Sequence, residues 1–199
     1  MGQRLVISVE TKGEPIAKLY FHWSAYTSSA LYETQDVVHC IYNHKDETIK
    51  ELQLRLIRWC EENGGGIDGK TDEFEYIQKM FPNETFETEG YSRSNGLIAL
   101  SEKNMQEMQY WSEGDVIIDL DEDLINFGVY AYYESLEEYI ENRQDWDDEF
   151  EGITLEDIPD IGYDLGWINV SDIDAVVKAV DKAGDEVVRF GNEIFELTE

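Results

Sequence analysis

The chain has 199 residues, 45 of them Asp or Glu and 15 Lys or Arg, so its formal net charge is −30. Charge of that sign turns phosphate attraction into repulsion, which excludes direct binding to nucleic acid or anionic membrane and directs any charge-driven association toward a basic partner. Hydrophobic residues at 42% and aromatics at 13% supply a core, so the composition is that of one folded domain over residues 1–199, not a disordered polyacid.

Residues 4–9 and 16–22 predict two strands joined through Lys12-Gly13-Glu14-Pro15, a turn composition, so the chain opens on a hairpin. From Ser28 the spacing of Leu31, Gln35, Val38, Ile41 and Tyr42 predicts a helix. Asp46 starts another, through Ile49, Leu52, Leu56 and Trp59 to Cys60, and Asn63-Gly64-Gly65-Gly66 stops it. A short helix over residues 72–81 ends before Pro82, residues 83–95 read as a polar loop, and residues 96–100 as a buried strand. Ser101 caps a helix to Trp111, after which residues 115–120 and 124–132 form a second hairpin around Asp121-Glu122-Asp123.

Ser135 begins a helix with Leu136, Tyr139, Ile140 and Trp146 on one side and Glu134, Glu137, Glu138, Glu141, Asp145 and Asp148 on the other. Residues 149–166 form a loop or lid, residues 171–183 a helix, and residues 186–190 with 193–197 a closing hairpin around Gly191-Asn192. Hairpins mixed with helices, without regular βαβ units, predict an α+β layer fold with a mostly antiparallel sheet.

No apolar run reaches the ~18 residues of a membrane span, and residues 1–10 lack the basic-then-apolar order of a signal peptide, which predicts a cytoplasmic protein. Cys40 and Cys60 form no CxxC and read as reduced core thiols. The charge is uneven. Residues 1–100 carry 10 basic and 16 acidic side chains, net −6, and residues 101–199 carry 5 and 29, net −24. Between residues 113 and 164 there are 19 acids and one base, Arg143, net −18, interleaved with apolar residues that need a core.

Gly64-Gly65-Gly66-Ile67-Asp68-Gly69-Lys70-Thr71 matches the phosphate-loop pattern GxxxxGK[ST]. In such a loop a buried strand leads into the glycines and a helix follows, presenting N–H groups to the phosphates. Here a helix precedes them and Asp72, Glu73 and Glu75 follow, so the segment reads as a glycine-rich helix stop. His39, Cys40 and His44 lack the spacing of helical metal ligands, and the clusters at Asp119 to Asp123 and Asp145 to Glu149 lack the EF-hand glycine, so no metal and no cofactor is expected. The segment Tyr20-Phe21-His22-Trp23-Ser24-Ala25-Tyr26-Thr27-Ser28-Ser29 places an imidazole, hydroxyls and aromatics at a strand end. Three roles remain open for it: structural capping, a small-ligand pocket with Arg4 or Arg93 as counter-charge, or a hydrolase using His22 and Ser24.

The opening Met1-Gly2-Gln3-Arg4, the strand end Tyr20-Phe21-His22-Trp23-Ser24-Ala25-Tyr26 and the later Val116-Ile117-Ile118-Asp119-Leu120-Asp121 resemble uncharacterised small proteins in phages and prophages of low-GC Gram-positive bacteria. Broader uncharacterised families carry a similar HWDGYP-like segment, from which the chain departs at Ser24-Ala25, where Asp-Gly is usual, and at Thr27, in place of proline. If an N-terminal-nucleophile-like sheet is involved, Gly2 supplies no nucleophile. The resemblance implies a mobile-element origin. Joined to the charge, it leads to a non-enzymatic counter-defence inhibitor, of anti-CRISPR or anti-restriction type, that blocks a basic host nucleic-acid-binding enzyme by mimicking nucleic acid. Rows of carboxylates at strand and helix spacing, ~6.6 and ~5.4 Å, approximate phosphate spacing. The rows would come from Asp121, Glu122, Asp123, Glu134, Glu137, Glu138, Glu141, Asp145, Asp147 and Asp148. The alternative is a protein that binds a small molecule or nucleotide signal through Arg4, His22, Trp23, Ser24, Tyr26, Thr27 and Ser28.

Overall fold

The structure, a computed structural model, describes residues 4–25, 27–86, 88–89, 96–128, 167–183, 187–190 and 193–196. Strands β1 (Leu5–Thr11) and β2 (Glu14–Phe21) form the opening hairpin. Lys12 and Gly13 between them sit at φ 56° and 72°, the two-residue turn whose twist suits antiparallel strands. Space beside Gly13 is open, so the left-handed backbone alone favours glycine there. Pairing jumps from Val9↔Ala17 to Glu10↔Pro15, a bulge that places the proline where the ladder is already interrupted.

Helix α1 (Thr27–Ile41) starts at Thr27 and runs into a 3-10 turn at Tyr42–His44. Helix α2 (Ile49–Glu62) begins later than the Asp46 expected, because Thr48 and Glu51 close a reciprocal capping box at its N-terminus. The glycines that end α2 lead at once into a strand that the turn composition concealed, β3 (Gly66–Asp68). Then follow α3 (Thr71–Met80), β4 (Thr88–Glu89) within the expected polar loop, β5 (Leu97–Ala99) and α4 (Glu102–Tyr110), whose N-terminus is capped by Ser101. The second hairpin is β6 (Gly114–Asp119) with β7 (Leu124–Gly128). Strand β8 (Trp167–Asn169), helix α5 (Ile173–Ala183) and a separate hairpin of β9 (Val187–Phe190) and β10 (Glu193–Glu196) complete the described chain.

Among the described residues, eight strands form one sheet in the order β4-β3-β5-β2-β1-β6-β7-β8. It is mixed, which corrects the expectation of a mostly antiparallel sheet. Strand β1 pairs antiparallel with β2 but parallel with β6, and β3 is parallel to both β4 and β5. The expected hairpins are present, but the first strands of the two main hairpins lie side by side in the same sense. Strands β2 to β5 and helices α1 to α4 lie between β1 and β6 in the chain, and hairpin patterning carries no information about how strands so distant in sequence meet.

Strand alternation divides the sheet into two unequal faces. Leu5, Ile7, Val9, Leu19, Phe21, Ile67, Ile98, Val116, Ile118 and Phe127 join residues of α1, α2, α3 and α5 in the main core. Val6, Tyr20, Leu97 and Ala99 form a smaller cluster on the other face with Met105 and Met108 of α4. Cys60 lies fully inside the main core and Cys40 at its border; both are free thiols, and burial pushes Cys40 up to about 11. No helix among the described residues is long and apolar enough to cross a membrane.

The helix expected from Ser135, the acids Glu134, Glu137, Glu138, Glu141, Asp145, Asp147 and Asp148, the loop expected over 149–166, Tyr26 and Arg93 all lie outside the described residues.

Candidate functional site

On the α4 face, at the end of the sheet where β1, β5 and β6 begin and β2 finishes, a cavity of about 360 Å³ opens. Alternation builds its walls. Leu5 and Phe21 pair across the hairpin and face the main core, so Arg4 and His22, one residue beyond that pair, face the other way, as does Tyr20. Ile67 enters the main core, which turns the next residue, Asp68, toward the cavity. Leu97 and Met108 supply apolar wall, and Trp111 stands just past the C-terminus of α4.

Arg4 is fixed from two directions. Its backbone N–H and its Nη2 donate to the two carboxylate oxygens of Glu113, each at 2.9 Å, while the N–H groups of Glu113 and Gly114 donate to the Arg4 carbonyl at 2.8 and 3.1 Å. Burial works to raise the Glu113 carboxyl, but the hydrogen bonds and charge of Arg4 outweigh it and hold the group below the usual carboxylate range. The guanidinium lies 5.8 Å from the centre of the Trp111 ring. His22 Nδ1 is 2.7 Å from the Tyr20 hydroxyl. Asp68, 1% exposed, has Oδ2 3.3 Å from Lys70 Nζ, which also reaches Glu107 of α4 at 2.8 Å.

Two of the lining residues, His22 and Trp111, each pack against an exposed aromatic neighbour. Trp23 meets His22 edge-on at 4.9 Å, and Tyr110 meets Trp111 edge-on at 5.4 Å. Trp23, Tyr110 and Trp111 are 53%, 81% and 53% exposed, although large apolar side chains are ordinarily withdrawn from water. Apolar and aromatic walls with a few fixed polar groups are the usual composition of a small-molecule site.

Of the residues singled out from sequence, Arg4 and His22 line this cavity, and Trp23 packs edge-on against His22 without lining it. Ser24 belongs to a different network: it is buried, and its hydroxyl donates to Glu33 of α1 at 3.1 Å. With His22 Nδ1 on Tyr20 and Ser24 Oγ on Glu33, the two side chains are not paired as base and nucleophile. Thr27 and Ser28 form the start of α1. Sequence reasoning missed Asp68, Leu97, Met108, Trp111 and Glu113, and took in Tyr20 only as part of the aromatic segment, with no role of its own. The period-2 alternation around Leu19, Phe21 and Ile67 was the signal that would have found Tyr20 and Asp68.

The three hairpin acids sit at the opposite end of the sheet, since β1 and β6 run parallel from the cavity toward the β6–β7 turn. Seven residues of β1 put roughly 20 Å between them. Asp121 accepts from the Lys12 backbone N–H, and that bond holds its carboxyl below the usual range. Asp123 accepts from Lys45 Nζ at 2.5 and 2.7 Å, and Glu122 is exposed. The glycine segment forms no phosphate cradle: helix α2 precedes it, β3 occupies its middle, and Lys70 is engaged by Asp68 and Glu107. His39 bonds Asp174 at 2.7 Å and His44 bonds Glu47 at 3.0 Å. Among the described residues no three His, Cys, Asp or Glu side chains form a group that could hold a metal.

No family model, curated protein or solved structure matches this chain.

Proposed function

We propose that this is a non-enzymatic binding protein that takes a small molecule in the cavity between the sheet and α4. The observation that carries the reading is the convergence of Arg4 and His22, from separate strands, with Trp111 and Asp68 around one space of about 360 Å³. That volume falls within the roughly 300–1,000 Å³ of small-molecule sites. A thermal-shift screen of metabolites on the full chain tests it. The expected result is a ligand whose stabilisation disappears in His22→Ala and in Trp23→Ala, with the unliganded variants still folded. A broad screen without a hit overturns the reading.

A second reading is favoured by the charge. Between residues 113 and 164 there are 19 acids against one Arg, a density that suits an inhibitor imitating nucleic acid on a basic host enzyme, of the phage counter-defence kind. Its test is capture of a nucleic-acid enzyme from host lysate at low and high salt, with Glu137, Glu138, Glu141 and Asp145 changed to Gln or Asn. Binding that ignores both salt and those substitutions sinks mimicry.

A further inference from the structure

We infer that the cavity holds an uncharged heteroaromatic base, free or as a nucleoside, with a guanine-like pattern of N–H donors on one edge and acceptors on another. This rests on the small-molecule reading above.

Charge decides the first part. The guanidinium of Arg4 is already paired with Glu113 at 2.9 Å, so it reaches the cavity as half of a neutral pair and brings no net charge to a phosphate or carboxylate. The chain's net charge of −30 opposes any anion further. A cationic ligand fares no better. The Trp111 ring already has the Arg4 cation 5.8 Å from its centre, and Lys70 stands 3.3 Å from Asp68, the only acid among the described residues that line the cavity.

Shape and hydrogen bonding decide the rest. Leu97, Met108 and the Trp111 ring offer apolar and stacking surface. A carboxylate has about four acceptor positions, so Asp68 can take a ligand's N–H edge in addition to Lys70. Assigning the Tyr20 hydroxyl as donor to His22 Nδ1 leaves the imidazole proton on Nε2, a donor suited to a ring nitrogen or carbonyl oxygen. A base with adjacent ring N–H and amino groups on one edge, and a carbonyl with a ring nitrogen on another, satisfies both. About 360 Å³ corresponds to roughly a dozen waters at ~30 Å³ each, room for a single nucleoside and not for an oligonucleotide.

The test is titration calorimetry of the full chain with guanosine, adenosine, guanosine monophosphate, phenylalanine and choline. Guanosine is expected to bind most tightly, with the monophosphate about tenfold weaker, because the phosphate gains no cation and meets the field of the chain. Asp68→Asn should weaken guanosine about tenfold or more, since one oxygen acceptor is replaced by an amide donor. Asp68 is buried, so Trp111→Ala, at an exposed position, gives an independent arm: the variant keeps its melting temperature and loses guanosine, and Trp111→Phe restores part of the binding. Tighter binding of the monophosphate, of phenylalanine or of choline than of guanosine overturns the inference and leaves the small-molecule reading standing. Silence of all five probes beside a hit elsewhere in the metabolite screen has the same meaning. Silence in both experiments overturns both.

Discussion

On one face of the sheet Leu5, Ile7, Leu19, Phe21, Ile98 and Val116 meet helices in a continuous apolar core; on the other, among the described residues, Val6, Tyr20, Leu97 and Ala99 cluster with Met105 and Met108 alone. The same strands supply both faces, through alternate residues. Around the smaller cluster the side chains are polar: Lys18 donates to Gln109 of α4, and Gln109 donates to Asp115 of β6 at 2.6 Å. Burial lowers the Lys18 pKa, and the nearby Asp115 and Glu10 only partly offset that. The fully packed face supplies stability, and the thinly packed one leaves the space in which a ligand can be held.

Truncation should separate the faces most clearly. Phe21 is fully buried, stacks edge-on against Trp59 at 6.3 Å and is approached so closely by Gly96 that a Cβ there would stand 3.2 Å from its ring. Phe21→Ala is expected to cost about 3–5 kcal/mol and Met105→Ala about 2 kcal/mol, read from denaturant midpoints. Equal losses would remove the distinction between the faces. Trp111→Ala, at the cavity mouth, should stay within about 0.5 kcal/mol of the parent while ligand uptake disappears.

The next effect lies at a joint between elements. Glu73 of α3 is fully buried, and its carboxylate accepts from the N–H groups of Leu100 and Ser101 at 2.5 and 3.1 Å, from the Ser101 hydroxyl and from Asn104 Nδ2 at 2.8 Å. It therefore holds the N-terminus of α4, the helix that roofs the cavity face. Glu73→Ala strands those donors and should cost about 1–3 kcal/mol. Loss of that stability with ligand affinity unchanged would show that the position of α4 does not depend on this anchor.

Local patterns in the chain were enough for the opening hairpin, the helix capped by Ser101 and the β6–β7 turn, because each is specified by residues a few positions apart. They missed β3 because Gly66-Ile67-Asp68 is short and flanked by glycine, so turn composition masked the single apolar residue that enters the core. They missed the parallel pairing of β1 with β6, which depends on what the intervening helices cover. At the site, Arg4 and His22 stood out as charged or aromatic residues at strand ends. Asp68 and Trp111 are brought beside them only by the sheet order and by the direction in which α4 ends, and neither can be read from spacing.

A smaller effect should appear with pH on the main-core side. Burial of Glu33 raises its carboxyl from the ordinary 4.5 to about 7, with the Ser24 hydrogen bond lowering it and Asp36 raising it. The folded chain thus holds this proton more tightly than the unfolded one. Its contribution is fully present below about pH 4.5 and is lost as pH rises through about 7. Glu33 is only half-buried, so the expected loss is about 1–2 kcal/mol after solvent screening. Glu33→Gln should flatten that part of the stability profile relative to the parent chain, and an unchanged difference across this range would show that Glu33 ionises in the folded state as it does in the unfolded one.

The smallest effect on stability, and the one that most sharpens the contrast between the two ends of the sheet, is at Asp123. Its backbone is at φ 55°, which Asn tolerates, and its ion pair with Lys45 is half-exposed. Pairs in that setting add little, so Asp123→Asn should leave Tm unchanged. Two of the three turn acids are already engaged, Asp121 by the Lys12 N–H and Asp123 by Lys45. A surface that imitates nucleic acid would have to compete for them. Under mimicry, Lys45→Met releases Asp123 and adds one net negative charge, so capture of a basic partner should strengthen at low salt and return to the parent value at high salt. Asp123→Asn should weaken the same capture without altering uptake of a ligand roughly 20 Å away. Capture indifferent to both variants would take the β6–β7 turn out of the acidic surface and leave its role confined to fastening the hairpin ends together.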